Sequence, residues 1–218
     1  MKFTHDVACE CGGRIVFSTT GEEKFGPGEC SSCKKTAYLT DPLSVSVTAE
    51  RLLYRSKAEM ENGDYSLSIV IATIAVESYL TRLFLKLKGM ENYATTFELP
   101  NESMEAQWEK EYPRSGGFLK PSDFVAQRFT GLTFDQFVMS NNIVAAHAFL
   151  GLPNTNKALP SRYFQDDLFN RRNRIAHWGY VNSTRQEAEH CHQIAVAIVT
   201  ILREMDRLKY GNFRAYGT

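Results

Sequence analysis

The sequence predicts a mainly α-helical protein, a helical bundle carrying a small β module at its N-terminus. Three observations point there. From about Ser44 onward, apolar residues recur at three- and four-residue steps, the period of one face of an α-helix. Four of the five cysteines fall in two close pairs within the first forty residues, Cys9-x-Cys11 and Cys30-x-x-Cys33. The 218 residues are 43% hydrophobic and 23% charged, ordinary for a globular chain and enough for one good-sized domain plus a small one. Formal net charge is zero, which excludes a global field drawing in nucleic acid. Any such contact must be local.

In chain order, Met1 to Asp6 lacks an apolar signal core. The most apolar run, Ile69 to Val76, is too short to span a bilayer. A soluble, cytoplasmic protein with no membrane partner is expected. Gly12-Gly13 and Lys34-Lys35 follow the cysteine pairs, where tight turns can aim backbone N–H groups at thiolates. Arg14 to Ser18 reads as a strand, with turns supplied by Gly21, Gly26, Pro27 and Gly28. So small a segment cannot bury enough apolar surface to hold itself together. A tetrahedral Zn²⁺ would supply that stability. Cys9, Cys11, Cys30 and Cys33 are the expected ligands of a structural zinc. Disulfides fit poorly with a chain lacking an export signal, and an all-cysteine site leaves no open position for catalysis. The two pairs resemble zinc-ribbon knuckles, the first with one intervening residue in place of two, so His5 is the substitute ligand to consider. Asp41-Pro42 marks the boundary between a module at 1–41 and a bundle at 44–210.

Thr48 to Glu61 reads as the first helix, closed by Asn62-Gly63-Asp64. Tyr65 to Lys88 follows as the most apolar one, with Leu67, Ile71, Ile74, Leu80, Leu83, Phe84 and Leu87 as core face and Gly89 as its stop. One line of it is polar: Ser66, Thr73, Glu77 and Thr81. Glu77 belongs either to a narrow solvent-facing stripe or to an ion pair inside the fold. Pro100, Pro113, Gly116-Gly117, Pro121 and Gly131 break up an insertion at about 90–132, with short helices at Glu102 to Glu111 and Ser122 to Phe129. It would cover a site, bind a partner or pack at the periphery. Thr133 to Gln136 reads as a capping box opening a helix to about Leu150, closed by Gly151 and Pro153. His147 along it reads as a core or surface histidine, not a ligand.

The next helix runs from about Arg162 to Asn173, with Phe164, Leu168 and Ile175 facing inward. Arg172 lies on that stripe, where a guanidinium is costly to bury unless it has partners or borders a cleft. Arg171 and Arg174 project elsewhere and read as solvent-facing. After Gly179, Ser183 to Gln186 reads as a second capping box, starting the last helix to about Lys209. Its stripe is Ala188, Cys191, Ala195, Ile198, Leu202 and Met205. His190-Cys191-His192 point in three directions from one helix and cannot share an ion. They read as a core cysteine between two partly exposed histidines.

Arg172-Asn173-x-x-x-His177 resembles the Arg-x(4–6)-His motif of HEPN domains, including the polar residue after the arginine. An apolar helix with an internal glutamate before the motif and a capped amphipathic helix after it extend the resemblance over about 44–210. The insertion at 90–132 is its least familiar part. The resemblance implies a HEPN-like helical bundle acting as a metal-independent endoribonuclease, in which the RNA's 2′-hydroxyl attacks phosphorus to give a 2′,3′-cyclic phosphate. His177 would do general acid/base work, being the side chain that titrates near neutrality. Arg172 would stabilise the transition-state oxygens. Asn173 would orient one of them, Glu77 would hold Arg172, and Gly179 with the break before Ser183 would let His177 swing towards the cleft. No cofactor is expected for catalysis. The resemblance further implies a homodimer with the site at its two-fold, RNA as partner, and a defence or toxin role with a protein regulator or antitoxin. Toxins paired with a nucleotidyltransferase antitoxin often carry tyrosine two residues after the histidine. Here that place is Gly179, with Tyr180 one later, and that pairing is not assigned. Two other classes stand beside this one: a non-catalytic HEPN module binding RNA or a protein partner, and a structural scaffold in which Arg172 and His177 tie helices together.

Overall fold

The computed structural model describes residues 2–9, 11–20, 28–37, 45–96, 102–113, 117–140, 159–179 and 182–210. At the N-terminus, β1 (Lys2–Ala8) pairs antiparallel with β2 (Arg14–Thr20), from Lys2 opposite Thr20 to Ala8 opposite Arg14. β3 (Gly28–Cys30) pairs with β2, and β4 (Thr36–Ala37) with β3, giving the order β1-β2-β3-β4. Ile15, Cys9 and Cys30 are the buried apolar side chains described here, too few to stabilise a sheet of this size by burial alone. The turns at Gly21, Gly26 and Pro27 and the boundary at Asp41-Pro42 lie outside the described residues.

The rest of the described chain is helical. α1 (Val45–Glu61) and α2 (Tyr65–Thr96) form a hairpin. Gly63 takes the left-handed conformation at φ +87°, and Asp64 Oδ1 accepts the N–H of Leu67 at 3.0 Å, capping α2. α2 runs one to two turns beyond the expected stop at Gly89. A mid-helix glycine costs only about 1 kcal/mol, and the helix carries on through Met90 to Thr96. Leu67 and Ile74, expected in the core, are 38% and 39% exposed. Ile69, Ala72, Val76 and Tyr79 are buried beside Leu80, Leu83, Phe84 and Leu87, because several helices pack around α2. The polar line is not a solvent stripe. Thr73 is buried and donates to the Ile69 carbonyl at 2.9 Å, and Ser66 donates to Ser183 Oγ at 3.0 Å. Tyr65–Asn92 is long and apolar enough to cross a bilayer by length and composition, but most of that stretch is buried within the bundle.

The insertion is not peripheral. α3 (Glu102–Glu111) is followed by α4 (Leu119–Thr130), which opens three residues earlier than expected and closes at Gly131 with φ +76°. Phe118, Val125, Ala126 and Phe129 join the main core. The Phe118 ring meets those of Phe134, Phe169 and Phe164 at 5.1, 5.2 and 5.8 Å between centroids. α5 (Phe134–Met139) opens with the expected capping box: Thr133 Oγ1 accepts from Gln136 N, and Gln136 Oε1 from Thr133 N. The continuation towards Leu150, with His147, Gly151 and Pro153, lies outside the described residues.

α6 (Pro160–Phe164) starts with proline at its first position, where the missing N–H costs nothing. It passes through one π-helical turn, Gln165–Phe169, into α7 (Asn170–Trp178). The π turn places Leu168 and Phe169, neighbours in sequence, both in the core. α8 (Arg185–Tyr210) buries its whole expected stripe from Ala188 to Met205. Its capping box sits one residue later than expected. Thr184 Oγ1 accepts from Glu187 N at 3.2 Å, and Glu187 Oε2 accepts from Thr184 N at 2.8 Å, while Ser183 is engaged by Ser66.

Candidate functional site

Three of the four residues expected at the site converge where α7 crosses α2. Arg172 Nη2 lies 3.4 Å from Glu77 Oε2, and Arg172 Nη1 donates to Asn173 Oδ1 at 2.9 Å. The guanidinium is thus held by two acceptors while 27% of its side chain stays exposed. Burial raises the Glu77 carboxyl above its ordinary range, with the Arg172 charge opposing. The two effects pull opposite ways; at 3.4 Å the pair is longer than a strong charge-assisted hydrogen bond, consistent with burial prevailing.

His177 is exposed in the last turn of α7. The expected helix end at Asn173 is displaced: α7 runs unbroken to Trp178, and Gly179 caps it in the left-handed region at φ 63°. Residues 170–178 hold neither proline nor glycine, and the first residue free of a Cβ is Gly179, so the turn is deferred to it. Five positions along a continuous helix amount to about 140° of rotation and about 7.5 Å of rise. His177 and Arg172 therefore leave α7 on different sides.

Two open hollows meet at Glu77, Thr81 and Glu109. One, about 300 Å³, is walled by Leu80, Tyr112, Pro121 and Phe169. The other, about 340 Å³, is lined by Ile74, Ser78, Arg82 and Glu105. Among the described residues that line them, carboxylates outnumber cations in both. Burial raises the Tyr112 hydroxyl pKa, opposed by its hydrogen bond with Thr81, so the phenol stays neutral.

The neighbouring arginine behaves differently from expectation. Arg171 is not solvent-facing: its Nη1 pairs with Glu187, and its Nε is buried without a hydrogen-bond partner among the described residues. Next along α8, His190 Nε2 lies 3.0 Å from Asp167 Oδ2 and 3.3 Å from the Tyr163 hydroxyl. Cys191 is fully buried, its thiol pushed up to about 12 by burial. His192 Nδ1 meets Ser56 Oγ at 3.2 Å, and burial lowers its pKa. The three side chains thus turn to three different sets of partners.

In the β module the four sulphurs of Cys9, Cys11, Cys30 and Cys33 lie within 4.8 Å of one another. Cys9 Sγ is 3.7 Å from Cys33 Sγ, and Cys11 Sγ 3.5 Å from Cys30 Sγ. A tetrahedron with bonds of about 2.3 Å sets sulphurs about 3.8 Å apart, so these residues fit a metal ion. Both knuckles turn the same way. Gly12 after Cys11 has φ +84° and Lys34 after Cys33 has φ 61°. Cys9 N donates to Gly13 O and Gly12 N to Cys9 O; Cys30 N donates to Lys35 O and Lys34 N to Cys30 O. The Cys33 N–H, with that of Ser32, holds the Cys30 thiol down at about 6. The missing residue of the first pair is accommodated by glycine: a Cβ on Gly13 would meet Ser32 Oγ at 2.6 Å and Cys30 Sγ at 2.7 Å. His5 lies on β1, and its side chain is outside the described residues.

No family model, curated protein or solved structure matches this chain. What stands is the geometry: an arginine clamped by Glu77 and Asn173, an exposed histidine further along the same helix, and a four-thiol cluster. Sequence periodicity missed Glu109, Tyr112 and Phe169. Glu109 lies on α3 and Tyr112 just past its end, both ahead of Pro113 in the insertion, and Phe169 enters the groove wall through the π turn.

Proposed function

We propose that this chain is a metal-independent endoribonuclease of the HEPN type, working as a homodimer, with a structural zinc ribbon at its N-terminus. The observation that carries the reading is the clamp on Arg172. A guanidinium fixed by Glu77 and Asn173, yet reachable from solvent, suits a phosphoryl group that gains charge in the transition state. His177 would move the protons. A base takes the proton of the 2′-hydroxyl, that oxygen attacks phosphorus, and an acid protonates the departing 5′-oxygen, leaving a 2′,3′-cyclic phosphate and a 5′-hydroxyl. One copy offers one imidazole here, turned away from its own Arg172. A two-fold arrangement that faces two α7 helices would supply base and acid together and set each beside a guanidinium. RNA would approach from the α7 side, because among the described residues lining the groove at Glu77 and Glu109 carboxylates outnumber cations. The cysteine geometry supports zinc in a closed, non-catalytic site. A cytoplasmic location, a defence or toxin role and a protein regulator or antitoxin belong to the same reading.

The test is a labelled RNA incubated with the full chain and a chelator. Cleavage leaving 2′,3′-cyclic ends, unaffected by chelator and lost in His177→Ala, is the expected result. A His177→Ala protein as active as the parent would overturn it. The alternative, a non-catalytic HEPN module binding RNA or a protein partner, draws on the separation of Arg172 and His177 within one copy. RNA retained without cleavage, and released in Arg172→Ala, would favour it.

A further inference from the structure

We propose that the four-thiol cluster is an oxidation site for hydroperoxides, where two disulfides, Cys9–Cys33 and Cys11–Cys30, replace the metal as the tie between the knuckles. The proposal rests on the structural-zinc reading and is independent of the nuclease. Each knuckle holds one buried and one exposed cysteine. Cys9 and Cys30 are 8% and 0% exposed, while Cys11 and Cys33 are exposed. The close sulphur contacts cross between the knuckles and join unlike partners. Exposed Cys33 lies 3.7 Å from buried Cys9, and exposed Cys11 lies 3.5 Å from buried Cys30. Ser32 and Lys34 beside Cys33 are exposed too, as is Gly12 beside Cys11. A peroxide can therefore reach one sulphur of each contact, and the other already lies against it. An approach of about 1.5 Å brings either pair to bonding distance.

Each disulfide consumes one hydroperoxide. A ligand sulphur is a thiolate, the nucleophilic form. The thiolate of Cys33 or Cys11 attacks the terminal oxygen of the hydroperoxide and the O–O bond breaks. The alkoxide or hydroxide that leaves takes up a proton, and the sulphur is left as a sulfenic acid. The sulphur of Cys9 or Cys30 then attacks it: the S–S bond forms, the S–O bond breaks, and hydroxide leaves as water once protonated. Each sulphur gives up one electron, and the peroxide bond takes both. Other pairings fit the structure less well. Bridges within the knuckles would have to join Cys9 to Cys11 across one residue, inside a turn held by Gly12 N to Cys9 O. Cys9 with Cys30 would join the two buried sulphurs, neither of which an oxidant reaches first. Cys9–Cys33 and Cys11–Cys30 tie the turn after β1 to the turn after β3. The oxidised module therefore keeps its sheet without an ion.

Hydrogen peroxide added to the zinc-loaded full chain tests this, read by a zinc-sensitive dye, disulfide mapping and hydrogen exchange. Zinc should be released completely as about two equivalents of peroxide are consumed per chain. A Glu-specific protease separates Cys9 from Cys11 at Glu10, and fragmentation across Ser31-Ser32 separates Cys30 from Cys33. The map should then give Cys9–Cys33 and Cys11–Cys30. Amide protection of β1 and β2 should persist in the oxidised, metal-free chain and vanish when dithiothreitol and chelator are added. Cys191, buried in the bundle, should stay a free thiol, and Cys191→Ser should oxidise like the parent. Bridges within a knuckle, a Cys9–Cys30 bridge, bridges between copies, or sulfinic acids in place of disulfides would each overturn the proposal. So would loss of β1 and β2 protection on oxidation, or thiols left untouched under conditions that fully oxidise a parallel sample of glutathione. A chain isolated without zinc would remove the metal reading, and the map made on that reduced chain would still decide the pairing.

Discussion

Arg172 and Glu77, ninety-five positions apart in the chain, meet where α7 crosses α2 with Nη2 and Oε2 3.4 Å apart. The contact joins the motif helix to the most buried helix of the bundle. Its length, and the partial exposure of both side chains, mark it as a positioning contact with little weight in stability.

Glu77→Gln should accordingly change unfolding free energy by no more than about 1 kcal/mol at neutral pH, read from urea denaturation. The sign with pH is set by burial, which raises the Glu77 pKa in the fold. Parent stability from this group is complete below the unfolded carboxylate pKa and is lost as pH rises through the raised folded value. The variant, which cannot ionise, should gain on the parent across that rise. If RNA is cut, kcat should fall with KM little moved.

Glu187 shows the opposite sign. The Thr184 N–H, and then Arg171, hold its carboxyl below the ordinary carboxylate range. Its contribution is present above the unfolded pKa and lost as pH falls through the folded value. Glu187→Ala should cost about 1 kcal/mol near neutrality through the lost cap. Parent and variant should converge in thermal melts taken at increasingly acid pH.

Phe118→Ala should destabilise the bundle by about 3–5 kcal/mol, since the ring is fully buried among Phe134, Phe164 and Phe169. Exposed Lys120→Ala, two residues away, should stay within about 0.5 kcal/mol. A small effect at Phe118 would return the insertion to the periphery.

Chelation should unfold the β module and leave the helical circular dichroism of the bundle in place. The bundle's core begins at Ala49 and draws on no described residue before it. Cobalt substituted at the four cysteines should show tetrahedral thiolate absorption, weakened in Gly13→Ala, where a Cβ would press on Cys30 Sγ and Ser32.

Much of this architecture was legible in the sequence because period and turn chemistry agree. The α8 stripe, the Thr133 capping box and the four clustered cysteines follow from spacing alone. The Arg172–Glu77 contact was legible too, because a lone acid and a lone base on apolar faces each need a partner. Other features depend on tertiary context. Gly89 does not end its helix, which runs on to Thr96. Leu67 and Ile74 are exposed because helices cover the other sides of α2. Thr184 takes the cap that Ser183 would have held, Ser66 having claimed Ser183. The groove walls at Tyr112 and Phe169 come from an irregular segment and a π turn, neither of which has a period to read.

That π turn, Gln165–Phe169, sets the phase of everything after it. Wound instead as an ordinary α-helix with no residue removed, the stretch would turn the following side chains by about 100° relative to those before it. Arg172 would then turn away from Glu77. One surplus residue, tethered through Gln165 Oε1 to the N–H of Phe118, therefore acts as the indexing notch that keeps the arginine in step with its acid.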